Sequence, residues 1–420
     1  MYKRYPDKLL EIVFLSLYKL VWILFFPVVI AYFLKRSIKE PLYRAHFRER
    51  IGMGPIFDKE AIWIHAVSLG EFRAAVPLIK KILTNNEQII LTTITPAGRE
   101  EAQRSLARQI SEGRVLVVYL PLEYTICFRF FINRYRPKLG IILEYELWPV
   151  LISSCQKFGI RLVLAQAQYV QKTFNRDKKI PWIRSALLKG FSLILAKSEV
   201  HAERFRVFTD SPVEVMGELR FEQLAETKHL RKAKDFIHQL NLQQPLRTSF
   251  CFGSTGPGED KDLIDVMVKL KEKAYQKGKP SPFFIYVPRH KKDFGSIKNI
   301  IDASGLKFFS RSESFAIDLS MIRNRVTALH EFDGLYGDSL GEIYFYFQLA
   351  DFVFIGNSFN QLGSHNIIEP LSLKKTVFVG PSVWGIEYPF VEAERAGVVT
   401  RVNSKDELIR SWWRKINQRN

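Results

Sequence analysis

The sequence predicts an α/β protein built from two doubly wound domains in tandem behind an N-terminal hydrophobic membrane helix. Three observations carry this. From Ala61 to Ser198 short apolar, β-rich runs alternate with helical stretches, and the alternation resumes from Arg247 to Pro381, as parallel βαβ units require. Between them, around Gly217 to Leu242, lies a charged helical stretch without strand pattern. Finally, 420 residues are enough for two domains with separate cores. The expected division is an anchor at 1–38, a first Rossmann-like domain at 39–225 and a second at 226–420, with the last helix able to pack back on the first domain.

The N-terminal run IVFLSLYKLVWILFFPVVIAYFL, Ile12 to Leu34, has Lys19 as its only charge. As one helix it would cross a hydrocarbon layer of ~30 Å. It ends in aromatics followed by Lys35, Arg36, Lys39, Arg44, Arg48 and Arg50 rather than in the small residues of a cleaved signal peptide. These charges favour retention of the following chain on the cytoplasmic side. Lys19 and Pro27 leave open a helix lying in the interface instead of spanning it.

In the first domain AIWIHAVS, QIILTTIT, RVLVVYLP, KLGIILEY, IRLVLAQA and FSLILAKS read as strands. In the second the series is RTSFCFGS, PFFIYVPR, LKFFSRS, RVTALHEF, DFVFIGNS and KTVFVGP. Ligands of such folds gather at the carboxyl ends of the strands, here expected on two domains facing a cleft. Apolar residues make up 47% and charged residues 25%, which excludes the disordered class. The 62 basic against 43 acidic side chains leave a charge of +19, favouring an anionic partner such as acidic lipid or a phosphorylated substrate. The basic residues are strewn without a nucleic-acid-binding module, so no nucleic-acid partner is expected. Cys127, Cys155 and Cys251 lack metal-like spacing and read as buried thiols of a reducing compartment.

Polar residues at strand ends are the candidates for chemistry. Glu144 and Glu146 in LEYELWP are two apart where a strand ends, hence on one face, and Glu71 in HAVSLGEF adds a carboxylate from another strand end. Together they could take a proton from a hydroxyl and orient a polyhydroxy substrate; singly, each is equally a helix cap or an ion-pair partner. FGSTGPGED brings Ser254 and Thr255 into a glycine-containing loop before a helix, suited to phosphate but without the P-loop lysine. VPRH ends a strand with Arg289 and His290, and Arg289 could hold a phosphate in bidentate fashion. GSHNIIEP places Asn366 and Glu369 three apart on one helical face, with His365 at its entrance.

HAVSLGE, TTITPAG, LEYELWP, GELRFE, FGSTGPGE, VPRH, GDSLGEIYFYFQLADFVFIGNS, GSHNIIEP and VGP occur in the order found in the 3-deoxy-D-manno-octulosonic acid (Kdo) transferases of lipopolysaccharide assembly. The chain resembles that family from about Leu42 to Val398. The resemblance implies a GT-B fold and an inverting glycosyltransferase moving Kdo from CMP-Kdo to a lipid A precursor at the cytoplasmic face of the inner membrane, beside anionic phospholipid. It implies no cofactor and no essential metal. Its catalytic base falls on Glu71 and its acidic acceptor positions on Glu144 and Glu146. Donor binding falls on Ser254, Thr255, Arg289, His290, Gly341, Glu342, Asn366 and Glu369.

Departures from the family pattern cluster. AQAQYVQKT, Ala165 to Thr173, stands in place of an NARLS-like stretch, and GNSFNQLGSHN has Asn357 and Ser364 where glycines are usual. A divergent paralogue with another acceptor or CMP-activated keto-sugar, and a non-catalytic lipid-binding protein that keeps the fold, are the alternatives these departures raise.

Overall fold

A computed structural model describes residues 5–222, 227–243, 247–322 and 329–418. The chain divides into two units, Met1–Gln223 and Leu224–Asn420; the domain boundary expected at 225/226 lies outside the described residues.

The first unit is a seven-stranded parallel sheet. Its strands are β1 (Ile62–His65), β2 (Ile89–Thr93), β3 (Val115–Tyr119), β4 (Leu139–Leu143), β5 (Arg161–Ala167), β6 (Leu193–Ala196) and β7 (Val213–Val215). They lie in the order β3-β2-β1-β4-β5-β6-β7. These runs are apolar without alternation because both faces are covered, as the wholly buried β2 shows. Alternate residues feed opposite layers: Trp63 packs with Phe131 and Ile142 on one face, Ile64 with Phe72 and Leu91 on the other. Strand order reverses between β1 and β4, so the crevice that such sheets offer a ligand opens beyond His65 and Leu143. β7 was not anticipated; three residues with a half-exposed pattern are too few for periodicity to register.

The single N-terminal helix expected across Ile12–Leu34 is broken. Helices Leu9–Leu24 and Phe26–Lys39 meet at Phe25 with a 51° bend. Pro27 is the cause: it lacks an N–H and its ring clashes with the preceding turn, so it suits the start of a second helix and not the interior of one. Among the described residues no single helix is long and apolar enough to cross a membrane, although the bent pair is so by length and composition. One face of the first helix is held by the unit. Lys189 Nζ is ion-paired with Glu11 at 2.7 Å and with Asp7, and Tyr124 donates its hydroxyl to the Trp22 carbonyl at 2.9 Å. The other face leaves Leu9, Ile12, Val13, Leu17, Leu20, Leu24 and Phe25 exposed.

The second unit repeats the scheme with β8 (Ser249–Thr255), β9 (Phe283–Pro288), β10 (Phe308–Ser310), β11 (Gly334–Tyr336), β12 (Phe352–Ile355), β13 (Thr376–Val379) and β14 (Val399–Arg401). The order is β10-β11-β9-β8-β12-β13-β14, with its reversal between β8 and β12. The strand expected within RVTALHEF is corrected: its described part, Leu329–Glu331, is a 3-10 turn, and the strand forms afterwards at Gly334–Tyr336. Polar His330 and Glu331 cannot enter a sheet covered on both faces.

The last helix, Lys405–Gln418, turns its apolar face to the second unit. Leu408, Ile409, Trp412 and Ile416 form one apolar stripe and are buried in the second unit's core. Trp412 stacks on Phe250 at 4.3 Å and lies 4.9 Å from Phe252, while Lys405 pairs with Asp262 and Asp265 of the neighbouring helix. Trp412→Ala is therefore expected to cost about 3–5 kcal/mol, read as a lowered urea midpoint. Trp412→Phe should cost clearly less, because the indole N–H has no partner to lose.

Candidate active site

In the first unit the carboxyl edges of β1, β4, β5 and β6 each contribute a polar side chain. After β1, Ser68 caps the helix Leu69–Thr84 and Glu71 stands in its first turn. The Val67 N–H donates to Glu71 Oε2 at 2.8 Å and the Ser68 hydroxyl to Oε1 at 3.2 Å. This is capping-box geometry shifted by one residue, so the capping role is real. It also pins the carboxylate rotamer at the switch point. Burial raises the Glu71 carboxyl to about 7, reinforced by the charges of Glu144 and Glu146 and opposed by the Val67 N–H and the Ser68 hydroxyl. The structure thus brings together the three carboxylates singled out in the sequence.

Glu144 follows β4 with φ of 59°, a left-handed conformation uncommon for a residue with a Cβ. It turns its carboxylate to two cations, Lys197 Nζ and an Arg220 guanidinium nitrogen, each at 3.3 Å from Oε1. Glu146 accepts from Trp148 Nε1 at 2.6 Å; burial, with a smaller contribution from Glu144, raises its carboxyl as well, against that hydrogen bond.

Sequence reading missed Lys197 and Arg220. Lys197 follows β6 directly, is 2% exposed, and reaches Glu144, Glu218 at 3.4 Å and Gln168 Oε1 at 3.0 Å. A strand-end lysine in FSLILAKS was a signal of the same kind as the strand-end glutamates. The AQAQYVQ stretch divides its work. Gln166, left-handed at φ 53° on a bulge of β5, ties down the GELR segment through the Gly217 carbonyl and the Leu219 N–H. Gln168 meets Lys197. Tyr169 is fully buried and donates its hydroxyl to Asp177 at 2.9 Å.

In the second unit a loop pair lies at the reversal between β8 and β12. Ser254, at the register shift near the end of β8, is left-handed at φ 56°, and Asn357, just after β12, at φ 62°. Glu259, 2% exposed, accepts from the backbone N–H groups of Gly256, Asn357 and Phe359 and so binds the two loops to each other. A Cβ on Gly356 would lie 2.4 Å from Thr255 Cα, which only glycine avoids. Asn357 takes its left-handed conformation with tolerance, donates to the Gly363 carbonyl at 2.7 Å and fills the space a glycine would leave. Arg289 and His290 follow β9 and are exposed. Burial lowers His365 to about 4, helped by the charges of Arg289 and His290, so its imidazole is neutral at pH 7.

One expectation in this unit changes. Asn366 and Glu369 do not share a helical face: the helix is Ile368–Ser372, and Asn366 precedes it, accepting the Ile368 N–H at 3.0 Å. Glu342 is engaged by Arg311, whose Nε and a terminal nitrogen donate at 2.7 and 2.6 Å, and by the Ser339 hydroxyl. It therefore orders the loop around Gly341, at φ 85°, through Arg311. Among the described residues no group of three or more His, Cys, Asp or Glu side chains could hold a metal ion.

Residues 45–223 match the family model described as 3-deoxy-D-manno-octulosonic-acid transferase (kdotransferase). A 3-deoxy-D-manno-octulosonic acid transferase of Bordetella pertussis is 29% identical over 343 residues, covering 81% of this chain and 76% of that protein. One of Haemophilus influenzae is 27% identical over 390 residues, covering 91% and 86%. Among solved structures, a glycosyltransferase from Rickettsia africae aligns with a TM-score of 0.52 and 11% identity over 84% of this chain and 87% of that one. A UDP-GlcNAc 2-epimerase from Neisseria meningitidis aligns with 0.51 and 12% over 86% and 92%. These two likenesses concern the fold: two Rossmann-like units.

The carboxylate cluster has a measurable signature. The Glu71 carboxyl band in difference infrared titration is expected to turn over near pH 7, and Glu146→Gln should move it downward by removing a neighbouring negative charge; an unmoved midpoint would show that Glu146 is electrostatically irrelevant to it.

Proposed function

On the match of residues 45–223 to the Kdo transferase model and the 27–29% identity to Kdo transferases over most of the chain, we propose that this is a Kdo transferase that moves Kdo from CMP-Kdo, with inversion, to a hydroxyl of a lipid A precursor. The observation that carries the reading is Glu71, fixed by two hydrogen bonds at the switch point and raised to about 7 by burial and by Glu144 and Glu146. A general base works best with a proton affinity near the operating pH. Glu71 takes the acceptor hydroxyl's proton as that oxygen bonds to the anomeric carbon. The bond from this carbon to the CMP phosphate breaks, and its electron pair leaves with CMP. Glu144, Lys197 and Arg220 orient the polyhydroxy, phosphorylated acceptor.

In the second unit Ser254, Thr255, Asn366 and Glu369 are assigned to the nucleotide, and Arg289 with His290 to the phosphate charge that grows as CMP departs. A monophosphate leaving group needs no diphosphate-type metal clamp, so the reaction is assigned no metal and no cofactor. The exposed apolar face of the bent N-terminal pair, with Lys35, Arg36 and the +19 charge, supports attachment at the cytoplasmic face of the inner membrane with this pair in the interface, each basic group near anionic phospholipid adding about 1 kcal/mol. One observation supports a second reading, in which the acceptor departs from the usual lipid A precursor: aligned on Ala167, Gln168 stands where NARLS has its arginine, so Lys197 meets a neutral amide there alongside the carboxylates of Glu144 and Glu218.

With CMP-Kdo and a tetraacylated, bis-phosphorylated lipid A precursor, mass spectrometry should show added Kdo. Glu71→Gln should lower kcat by about 10²–10⁴-fold while calorimetric CMP affinity stays unchanged; retained turnover would remove the base assignment. The wild-type rate should climb as pH rises through about 7, because only the ionised carboxylate accepts a proton. A chelator should leave it unaltered.

A further inference from the structure

A cavity of the first unit lies beside the carboxylate cluster without being part of it. It measures about 380 Å³, within the ~300–1,000 Å³ of small-ligand pockets. Val29 and Phe33 of the second N-terminal helix, Ile94 after β2, Leu120 after β3 and Trp148 wall it. At its rim stand Val28 and Tyr32, both exposed and continuous with the bare apolar face of the helix pair. Two ionisable side chains also line it. Glu123 is raised to about 8 by burial, against the Val150 and Leu151 N–H groups it accepts and the charge of Lys19, so it presents a neutral carboxyl at pH 7.

Arg50 is the unexplained group. It is 1% exposed, its guanidinium lies 3.9 Å from the Tyr119 ring centre and 4.6 Å from that of Phe33, and it donates once, to the Ile94 carbonyl at 3.1 Å. Its Nε is buried without a partner, and among the described residues no carboxylate stands within ion-pair distance of it. A buried donor left unmade is costly. A ligand with a long apolar body and an oxygen acceptor would satisfy both the walls and this donor.

We propose that this pocket takes one acyl chain of the acceptor lipid, with an oxygen of that chain's ester, amide or hydroxyl group meeting Arg50. The occupant is identified by position. Trp148 lines the pocket with its ring and donates its N–H to Glu146, whose charge is felt at Glu71, so a chain seated here belongs to the molecule whose hydroxyl faces the base. The exposed rim opens the pocket to chains arriving along the membrane surface. This inference rests on the proposed acylated acceptor, and it makes the pocket a selector of acyl length.

The test has two independent readouts. An acceptor lipid with a diazirine at one chain end should, on irradiation, label peptides containing Ile94 or Leu120–Glu123. Unlabelled acceptor should compete, and Val29→Phe, which fills the pocket, should cut labelling tenfold or more. In turnover, Val29→Phe should raise KM for the fully acylated acceptor at least tenfold and leave KM for its deacylated counterpart and for CMP-Kdo unchanged. Equal effects on both acceptors, labelling elsewhere, or equal labelling by a diazirine phosphatidylglycerol that the acceptor does not displace would overturn the proposal. If no acceptor supports turnover the reading of the reaction falls, while competed labelling at these peptides still upholds the pocket and its absence overturns it.

Discussion

A carboxylate held partly out of water near two others binds its proton more tightly, and the first unit is organised around that constraint. Glu71 would ionise well below neutral pH in solvent. Here it loses hydration and gains two negative neighbours, while the Val67 N–H and Ser68 hydroxyl keep it from drifting away. Removing those two donors would raise its proton affinity further; removing Glu144 and Glu146 would lower it. The value near neutrality is thus set first by burial and then adjusted by four neighbours drawn from two strand ends, whose spacing the sheet sets because β1 and β4 are hydrogen-bonded partners.

The cations around this cluster are placed by the same sheet. Lys197 is nearly inaccessible and would be costly there alone, but Glu144, Glu218 and Gln168 surround it. The strained φ of Glu144 turns its carboxylate toward Lys197 and Arg220, and such strain persists where surrounding structure over-determines it. In the second unit Glu259 plays an architectural part: one buried carboxylate accepting from three backbone N–H groups joins the loops after β8 and β12. Asn357, in place of a family glycine, does not prevent this, since asparagine tolerates the left-handed conformation the loop requires.

The N-terminal segment shows one physical cause producing two structural features. Pro27 breaks what would be a continuous apolar helix, and the bent pair lies along the unit with an apolar outer face. The second helix then roofs the cavity that contains Arg50. Charged neighbours such as Lys189 hold the first helix by its polar side, through Asp7 and Glu11.

Much of the architecture was legible in the chain itself: apolar β-rich runs at regular intervals mark twelve of the strand positions with one misplaced, and the doubly wound arrangement follows from their alternation with helices. Glu71, Glu144 and Glu146 were identifiable because strand ends are where such sheets present side chains. The short edge strands Val213–Val215 and Val399–Arg401 were not, since three residues carry no period. Nor could local pattern tell that Asn366 precedes a helix instead of riding on it, or that Glu342 is engaged by Arg311, because both depend on partners distant in sequence or on where a helix starts. The sequence by itself determined most of the elements, their order and the family resemblance, all of which rest on local periodicity and motif order. Only the tertiary structure decided the ionisation of Glu71, the partners of Lys197 and the burial of the Arg50 guanidinium between two rings, because burial and charge proximity arise from residues that meet only when the sheet forms.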